Sequence, residues 1–413
     1  MVEYKKYILD NGLTLLVVED SSTPLVSVNT LFGVGARDEN PSRTGFAHLF
    51  EHLMFGGTTS VPDYDKVVTE IGGDSNASTN NDFTQYHLTV PARFLETAFR
   101  LESDRMCNLD LSPRSLAVQQ SVVTEEYNYR YLNRPYGDMW LLLRPLCYHV
   151  HPYRWCTIGA DIAHVQEATL DDVAAFYSRY YCPDNAIVAV VGNVKSDEVL
   201  RLAEKHYGNI PAGGRPQRNL PVEPCQTESR SLTVSREVPS DALYLAYHAP
   251  ERLNPDLRAA DLISDILSNG RSSRLYNRLV KGKGLFTEID AFITGDVDPG
   301  LFLVAGKLCD GVAFDDAMAA VQKELVSLAS EPLYQGELEK VQNRFESTFV
   351  YGYYKALDRA QLLCYYEWLG NIDWINIEPK LYRQVTEDDI HRVASNMFRT
   401  ENQSALLYKT CSV

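Results

Sequence analysis

The sequence is poor in positive charge. Its 413 residues include 39 Lys and Arg against 55 Asp and Glu, which gives a formal net charge of −16. Proteins that bind nucleic acid or an anionic membrane surface need a basic surface, so this balance argues against both classes. The sequence also lacks an apolar run near the roughly 20 residues that a membrane-spanning helix requires. The purest apolar run, Ala186–Val191, has instead the length of a buried strand.

A paired cysteine motif and an export signal are missing as well. The eight cysteines are scattered and include no Cys-x-x-Cys, which favours reduced thiols and the cytoplasm. Residues 1–6 are mostly polar and do not resemble the apolar core of a signal peptide. We therefore predict a cytoplasmic location. Prior removal of an export signal would instead place the protein in the periplasm.

A linker is present near the middle of the sequence. Four prolines and three glycines lie between Gly208 and Pro224, and both residue types disfavour the interiors of strands and helices. At roughly 150 residues per domain, the length suggests two or three domains. We predict an N-terminal domain at 1–210, a linker at 211–226 and a C-terminal domain at 227–413.

The two halves resemble each other. The segments that begin at Thr169 and Thr386 share the pattern Thr-x-Asp-Asp, and each is followed by a short apolar run at the same offset of 217 in the numbering. Threonine followed by acidic residues is typical of a helix N-terminus, and the apolar run predicts a buried strand. Each half mixes strand patterns with longer helical runs. The sequence therefore predicts two duplicated α+β domains.

The local patterns predict specific elements. Asn11-Gly12 lies between two apolar segments and is a strong hairpin signal. Alternating or helical periodicity predicts the remaining elements. These are strands at Val26–Phe32 and Thr84–Val90, and helices at Gly45–Phe55, Pro62–Ile71, Ala92–Cys107, Ser112–Tyr131 and Tyr351–Tyr366.

One predicted helix carries the residues of a metal site. His48 and His52 are four residues apart, so their imidazoles lie on one helix face, and Glu51 lies between them. Two neutral imidazoles can hold Zn²⁺, and a neighbouring carboxylate can take a proton from water. His-x-x-Glu-His is the reverse of the His-Glu-x-x-His zinc motif. The pattern therefore predicts a zinc site with a general base.

A catalytic zinc usually has three protein ligands and one open position. The third ligand should come from another element. The candidate segment is Val122–Glu126, on a predicted helix further downstream, which ends in two adjacent carboxylates, Glu125 and Glu126. Adjacent helical residues point about 100° apart, so only one of the two can face the metal.

Together these motifs resemble the pitrilysin/insulinase family of zinc metallopeptidases. The resemblance rests on His48-x-x-Glu-His52 followed downstream by Glu126, on Gly72–Thr79, on Leu101–Arg105 and on His151-Pro-Tyr153. It extends over both halves and the linker. The length is similar to that of the short two-domain branch, which includes bacterial zinc proteases and the subunits of the mitochondrial processing peptidase.

This resemblance implies a fold and a set of roles. Two homologous α+β domains would face each other around a chamber, and the first would carry one Zn²⁺ per chain. The implied ligands are His48, His52 and Glu126, the second glutamate of its pair, with Glu51 as general base. Peptides would be the substrates.

Two further features follow from the resemblance. The segment Gly72–Thr79 would include an edge strand that pairs with extended substrate, through Ser75, Asn76, Ala77, Ser78 and Thr79. The family usually has a second glutamate seven residues before the third ligand, where this sequence has Gln119. An amide can support the ligand geometry through hydrogen bonds but adds no charge.

The second half lacks the metal motif. At the positions that match His48, Glu51 and His52 it has Asp261, Ser264 and Asp265, and an offset of 217 places Asn343 near the third ligand position. This half should therefore not hold a catalytic zinc.

The second half also lacks an Arg and a Tyr that active single-chain relatives usually carry seven residues apart, because Val280 and Thr287 occupy those positions. This combination resembles the catalytic subunit of a two-subunit peptidase, whose homologous partner would supply the pair. The alternatives are a homodimer in which Arg274, Arg278 or Tyr276 replaces the pair, and a structural subunit without activity.

Overall fold

The computed structural model describes residues 1–411 as a mixed α+β protein with two sheets. The strands are β1 Lys5–Ile8, β2 Thr14–Glu19, β3 Leu25–Phe32, β4 Asp74–Thr79, β5 Thr84–Pro91, β6 Ala186–Gly192, β7 Arg230–Arg236, β8 Ala242–His248, β9 Phe286–Ile293, β10 Leu301–Leu308 and β11 Gln403–Thr410. The α-helices are α1 Phe46–Leu53, α2 Tyr64–Glu70, α3 Leu95–Cys107, α4 Pro113–Tyr127, α5 Met139–Cys147, α6 Ala163–Gln166, α7 Leu170–Tyr180, α8 Ser196–Tyr207, α9 Asp256–Ser268, α10 Phe314–Ser330, α11 Glu337–Tyr351, α12 Ala356–Trp368, α13 Trp374–Arg383 and α14 Glu387–Met397. Within residues 1–411, no helix is both long and apolar enough to cross a membrane. The predicted α+β class is confirmed.

The first sheet has the strand order β1-β2-β6-β3-β5-β4. The strands β2 and β6 run parallel, whereas the other neighbouring pairs are antiparallel. The β1–β2 hairpin turns at Asn11-Gly12 as predicted, and Gly12 has a φ of 87°, which glycine adopts without strain. Every residue of β6 is buried, so the apolar run near Ala186 is the central strand that its composition indicates.

The second sheet has the order β7-β11-β8-β10-β9, in which only β7 and β11 are parallel within the described residues. The helices α9, α10 and α14 pack together, and α9 also packs against β9. Their apolar faces form one core with strand residues such as Phe302 and Val304. This sheet and its helices repeat the plan of the first sheet in outline.

The chain forms two compact units that are not two uninterrupted halves. The first unit contains residues 1–128, 155–220 and 350–378, and the second contains 129–154, 221–349 and 379–413. In the first unit, α12 packs against β3 and β6, and in the second, α5 packs against β7, β8 and β11. Each unit therefore includes a helix from the other half of the sequence. The predicted boundaries 1–210, 211–226 and 227–413 stay a prediction, and residues 412 and 413 lie outside the described part.

Repeated hydrogen bonds confirm the duplication. Asn185 Nδ2 donates to Tyr180 O, and Asn402 Nδ2 donates to Met397 O, both at 2.8 Å. Donors and acceptors of the two bonds are related by the same offset of 217. Thr169 and Thr386 form the same reciprocal cap with the aspartate three residues later. These matches lie in elements whose sequence similarity was visible beforehand.

A third match corrects one alignment. Gln120 on α4 donates through Nε2 to three carbonyls, Gln342 on α11 does the same, and the acceptors are related by the offset of 217. The two glutamines themselves are related by a larger offset, 222. The counterpart of Glu126 in the second half is therefore Thr348, and the expectation of Asn343 was wrong because the spacing before α11 differs by five residues.

Candidate metal centre

The helix α1 separates its apolar and polar side chains sharply. Its apolar residues recur at helical spacing and are buried: Phe46, Leu49, Phe50 and Leu53. His48, Glu51 and His52 occupy the other side. The imidazole rings of His48 and His52 are 4.8 Å apart between centroids and nearly perpendicular, at 82°. The predicted pairing of the two imidazoles on one face is thus present in the structure.

The third candidate comes from α4, which packs against α1. Glu126 Oε2 lies 3.2 Å from His52 Nε2 and 3.7 Å from His48 Nε2. The adjacent Glu125 is exposed to solvent and is not part of the group. The structure therefore brings together His48, His52 and Glu126, the three residues that the family resemblance implied.

The donor set fits zinc. The three ligand atoms all lie within 4.8 Å of one another. Donors around a tetrahedral zinc, each about 2.0–2.2 Å from the metal, are about 3.3–3.6 Å apart. Two imidazoles and one carboxylate form a known catalytic zinc set. The side chains are 12%, 23% and 17% exposed for His48, His52 and Glu126, so solvent reaches the group. This is the only such group of His, Cys, Asp or Glu among residues 1–411.

Glu51 lies half-buried on the same helix. Among the described residues its carboxylate accepts no hydrogen bond. The charge of Glu51 affects the pKa of two buried phenols, Tyr86 and Tyr181. The hydroxyl oxygens of these two tyrosines are 3.3 Å apart. Burial raises the pKa of both phenols, and the negative charge of Glu51 raises each further. Both tyrosines therefore stay neutral beside Glu51.

Gln119 lies half-buried on α4, with its amide nitrogen near Gly56. Its side chain has no hydrogen-bond partner within residues 1–411, and it does not contact the three ligand candidates through a hydrogen bond. The supporting role suggested for it stays a prediction.

The segment Ser75–Thr79 lies in β4, the terminal strand of the first sheet. Along it, Asn76 and Ser78 are exposed while Ser75, Ala77 and Thr79 are half-buried. The strand pairs with β5 on one side, and α1 packs against it. The predicted edge strand is thus next to the candidate metal centre, and its pairing with substrate stays a prediction.

Sequence reasoning missed Glu39. This buried carboxyl group accepts hydrogen bonds from Gly45 N at 2.9 Å and Ala47 N at 2.8 Å, at the start of α1. One signal was available, because Gly45 precedes the helix where a Ser, Thr, Asp or Asn cap is usual. That signal indicates a missing cap but does not identify the residue that replaces it.

The equivalent positions of the second unit have other partners. On α9, Asp261 Oδ2 accepts a hydrogen bond of 2.8 Å from Tyr382, and Asp265 accepts one from Asn269. Burial raises the pKa of Asp265, which makes it a poorer site for a cation. Thr348 matches Glu126 but offers no carboxylate. The lack of a metal site in this half stays a prediction.

Two family profiles match different parts of the chain. The sequence profile of the insulinase family (peptidase family M16) matches residues 14–133, and that of the peptidase M16 inactive domain matches residues 167–345. The zinc protease PqqE of Helicobacter pylori is 30% identical over 98% of this chain and 93% of its own length. The crystal structure of a protease from Helicobacter pylori superposes with a TM-score of 0.92, at 28% identity, over 99% of this chain and 100% of that one.

A second solved structure shares the fold at lower similarity. It is described as a peptidase M16 inactive domain from Pseudomonas fluorescens, and it superposes with a TM-score of 0.89 at 18% identity, over 100% of this chain and 98% of that one. The profile matches together cover more than half of the chain, and the PqqE match covers nearly all of it. The chain therefore belongs to the insulinase family, peptidase family M16.

Proposed function

We propose that the chain is a zinc-dependent endopeptidase that cleaves extended peptides. The observation that carries this proposal is the convergence of His48, His52 and Glu126 from two helices, with Glu51 on the same helix as the two histidines. These three residues would hold one Zn²⁺ per chain. Relatives named as zinc proteases support the same activity.

The roles of the residues follow from their chemistry. When bound, zinc supplies a Lewis acid that polarises water and the peptide carbonyl group. Glu51 accepts the proton of the attacking water and later returns it to the leaving nitrogen. The neutral phenols of Tyr86 and Tyr181 do not compete for that proton, because burial raises the pKa of both. The exposed edge of β4 would align the substrate through main-chain hydrogen bonds.

We further propose that a homologous partner completes the site. Val280 is partly buried against the core of the second unit, and Thr287 donates to Lys307 O at 3.3 Å. Neither side chain can supply a guanidinium or a phenol. Loss of one donor to the oxyanion typically lowers the rate by about 10²–10³, so this chain alone should be a weak peptidase.

The homodimer alternative requires Arg274, Arg278 or Tyr276 to replace the missing Arg and Tyr pair. Both arginines already form ion pairs or hydrogen bonds within the chain. Arg274 is buried and donates to Glu337 at 2.9 and 2.6 Å. Arg278 is held by Glu324 and Tyr334. Moving either guanidinium toward a substrate would break an ion pair that is at least partly buried, which favours the heterodimer.

The test is metal analysis together with peptide hydrolysis. The purified chain should contain about one zinc and cleave peptides slowly, and addition of a homologous chain with the Arg and Tyr pair should raise the rate by about 10²-fold or more. A chain without zinc at micromolar supply would contradict the peptidase proposal. Full turnover by this chain alone would contradict the heterodimer and favour the homodimer. The cytoplasmic location stays a prediction from the cysteine pattern.

A further inference from the structure

The helix that carries two of the three ligand candidates is short and weakly capped. The helix α1 has eight residues, its N-cap is Gly45 with a φ of 89°, and its first turn contains no acidic residue. Isolated helices of fewer than about 12 residues are marginal in water. The positions of His48 and His52 therefore depend on groups outside the helix.

Glu39 is such a group. Its Oε2 accepts from Gly45 N at 2.9 Å and its Oε1 from Ala47 N at 2.8 Å, so both oxygens contact backbone amides beside His48. A helix N-terminus carries unpaired N–H groups, and the carboxyl oxygens of Glu39 pair with two of these groups. Glu39 thus caps α1 from a separate segment of the chain.

The segment that carries Glu39 is itself anchored. Glu39 follows a short 3₁₀ turn, Ala36–Asp38. Within this turn, Ala36 N donates to Asn80 O at 3.1 Å and Arg37 N to Asn81 O at 2.9 Å. Asn80 directly follows β4. The hydrogen bonds therefore connect the end of the edge strand, through Glu39, to the first turn of α1.

Burying this carboxyl group is unfavourable for the fold. Glu39 is 5% exposed, and burial raises its pKa to about 8, although the amides of Gly45 and Ala47 oppose the rise. The counterpart helix α9 has 13 residues, and its first amide, Asp256 N, is satisfied locally by Asn254 at 3.0 Å. The external buried cap is thus found beside the helix that carries the ligand candidates.

We propose that Glu39 is a positioning residue that fixes the first turn of α1, and with it the approach of His48 and His52 to Glu126. The proposal rests on the zinc site proposed above. Outer residues that orient metal ligands typically contribute about 10–100-fold in metal affinity.

The test compares Glu39→Gln with Glu223→Gln in the full chain. Glu223 is the matched control because its carboxylate also accepts from backbone amides, those of His149, Val150 and His151, and lies in the second unit. Zinc affinity is measured by competition with a chelator. Glu39→Gln should bind zinc at least about 10-fold more weakly, whereas Glu223→Gln should lose stability but keep the wild-type affinity.

Unchanged zinc affinity in a folded Glu39→Gln variant would overturn the proposal, as would an equal loss in both variants. Should Glu39→Gln fail to fold, hydrogen exchange of the metal-free wild type decides. The amides of Gly45 and Ala47 should then be protected as strongly as those of β6, and rapid exchange of both would overturn the proposal. A wild type that binds no zinc would instead contradict the proposed function, and the exchange measurement would still test Glu39.

Discussion

The helices α1 and α9 occupy equivalent places in the two units, yet they differ in what their polar side chains do. On α1, His48 and His52 lie beside the carboxylate of Glu126 from α4, and Glu51 lies on the same helix. Asp261 and Asp265 on α9 are hydrogen-bonded to Tyr382 and Asn269. In each unit a glutamine on another helix, Gln120 on α4 or Gln342 on α11, donates hydrogen bonds to three equivalent carbonyls. The comparison shows that the two units share scaffold contacts while their helices α1 and α9 carry different polar side chains.

The largest expected effect tests the base. Glu51→Gln should lower peptide hydrolysis by about 10²–10⁴-fold, because the amide cannot accept the proton of water. The zinc content should not change. Ser264→Ala, at the matching position of α9, should leave both properties as in the wild type. Peptide cleavage and metal analysis measure the two effects, and loss of zinc from Glu51→Gln would show that the assigned role is wrong.

The next effect concerns the third ligand. Glu126→Ala should weaken zinc binding by more than the roughly 10–100-fold expected for an outer residue, since it removes one of three donors. Glu125→Ala and Thr348→Ala should keep the wild-type affinity, because Glu125 is exposed and Thr348 lies in the other unit. Chelator competition measures all three variants. A larger loss for Glu125→Ala than for Glu126→Ala would place the ligand on the other helix face.

A smaller effect distinguishes residues that only stabilise the fold from residues that also support zinc binding. Gln120→Ala and Gln342→Ala each remove donors to three carbonyls, so each should lower the free energy of unfolding by about 1–3 kcal/mol. Gln120→Ala should also weaken zinc binding, because α4 carries Glu126, whereas Gln342→Ala should not. Denaturant unfolding and zinc titration provide the two readouts. Equal zinc loss in both variants would contradict the separation of roles.

The last effect is a pH dependence. The pKa of Glu39 rises from 4.5 to about 8 through burial, with a contribution from the neighbouring charge of Asp38. The folded state then keeps a proton that the unfolded chain releases above about pH 4.5, so stability should fall as the pH rises toward 8. Glu39→Gln should remove this part of the fall. Thermal unfolding of the metal-free proteins at several pH values measures the difference, and parallel curves for the two proteins would contradict the assignment.

Local patterns predicted much of this molecule. The spacing of His48 and His52 predicted that their imidazoles lie close together on one helix face, because helical periodicity fixes which side chains share a face. The choice between Glu125 and Glu126 needed the family resemblance, since the sequence offers both. Glu39 could not be predicted, because its role depends on a tertiary approach to Gly45.

The packing partners of helices and strands were harder to predict than the helices and strands themselves. The segment Tyr351–Tyr366 was predicted as one helix, but α11 ends at Tyr351 and α12 begins only at Ala356. Periodicity showed an apolar face on this segment without indicating which sheet it covers. A constant offset of 217 aligned Asn343 with Glu126. The equivalent hydrogen bonds of Gln120 and Gln342 showed that the offset is 222 on these helices.

The first unit includes residues 350–378, which come from the second half of the sequence. Its assembly therefore cannot be completed until this late part of the chain has been synthesised. The strands β3 and β6 emerge from the ribosome long before α12, which covers them and begins at Ala356. At about 5–20 residues per second, the roughly 160 residues between β6 and α12 take about 8–30 seconds to synthesise. During that time the apolar sheet lacks this covering helix, and contacts so distant in sequence form slowly. A fragment that stops at the linker would keep that surface uncovered, so completion of the first unit requires a chain that extends through residue 378.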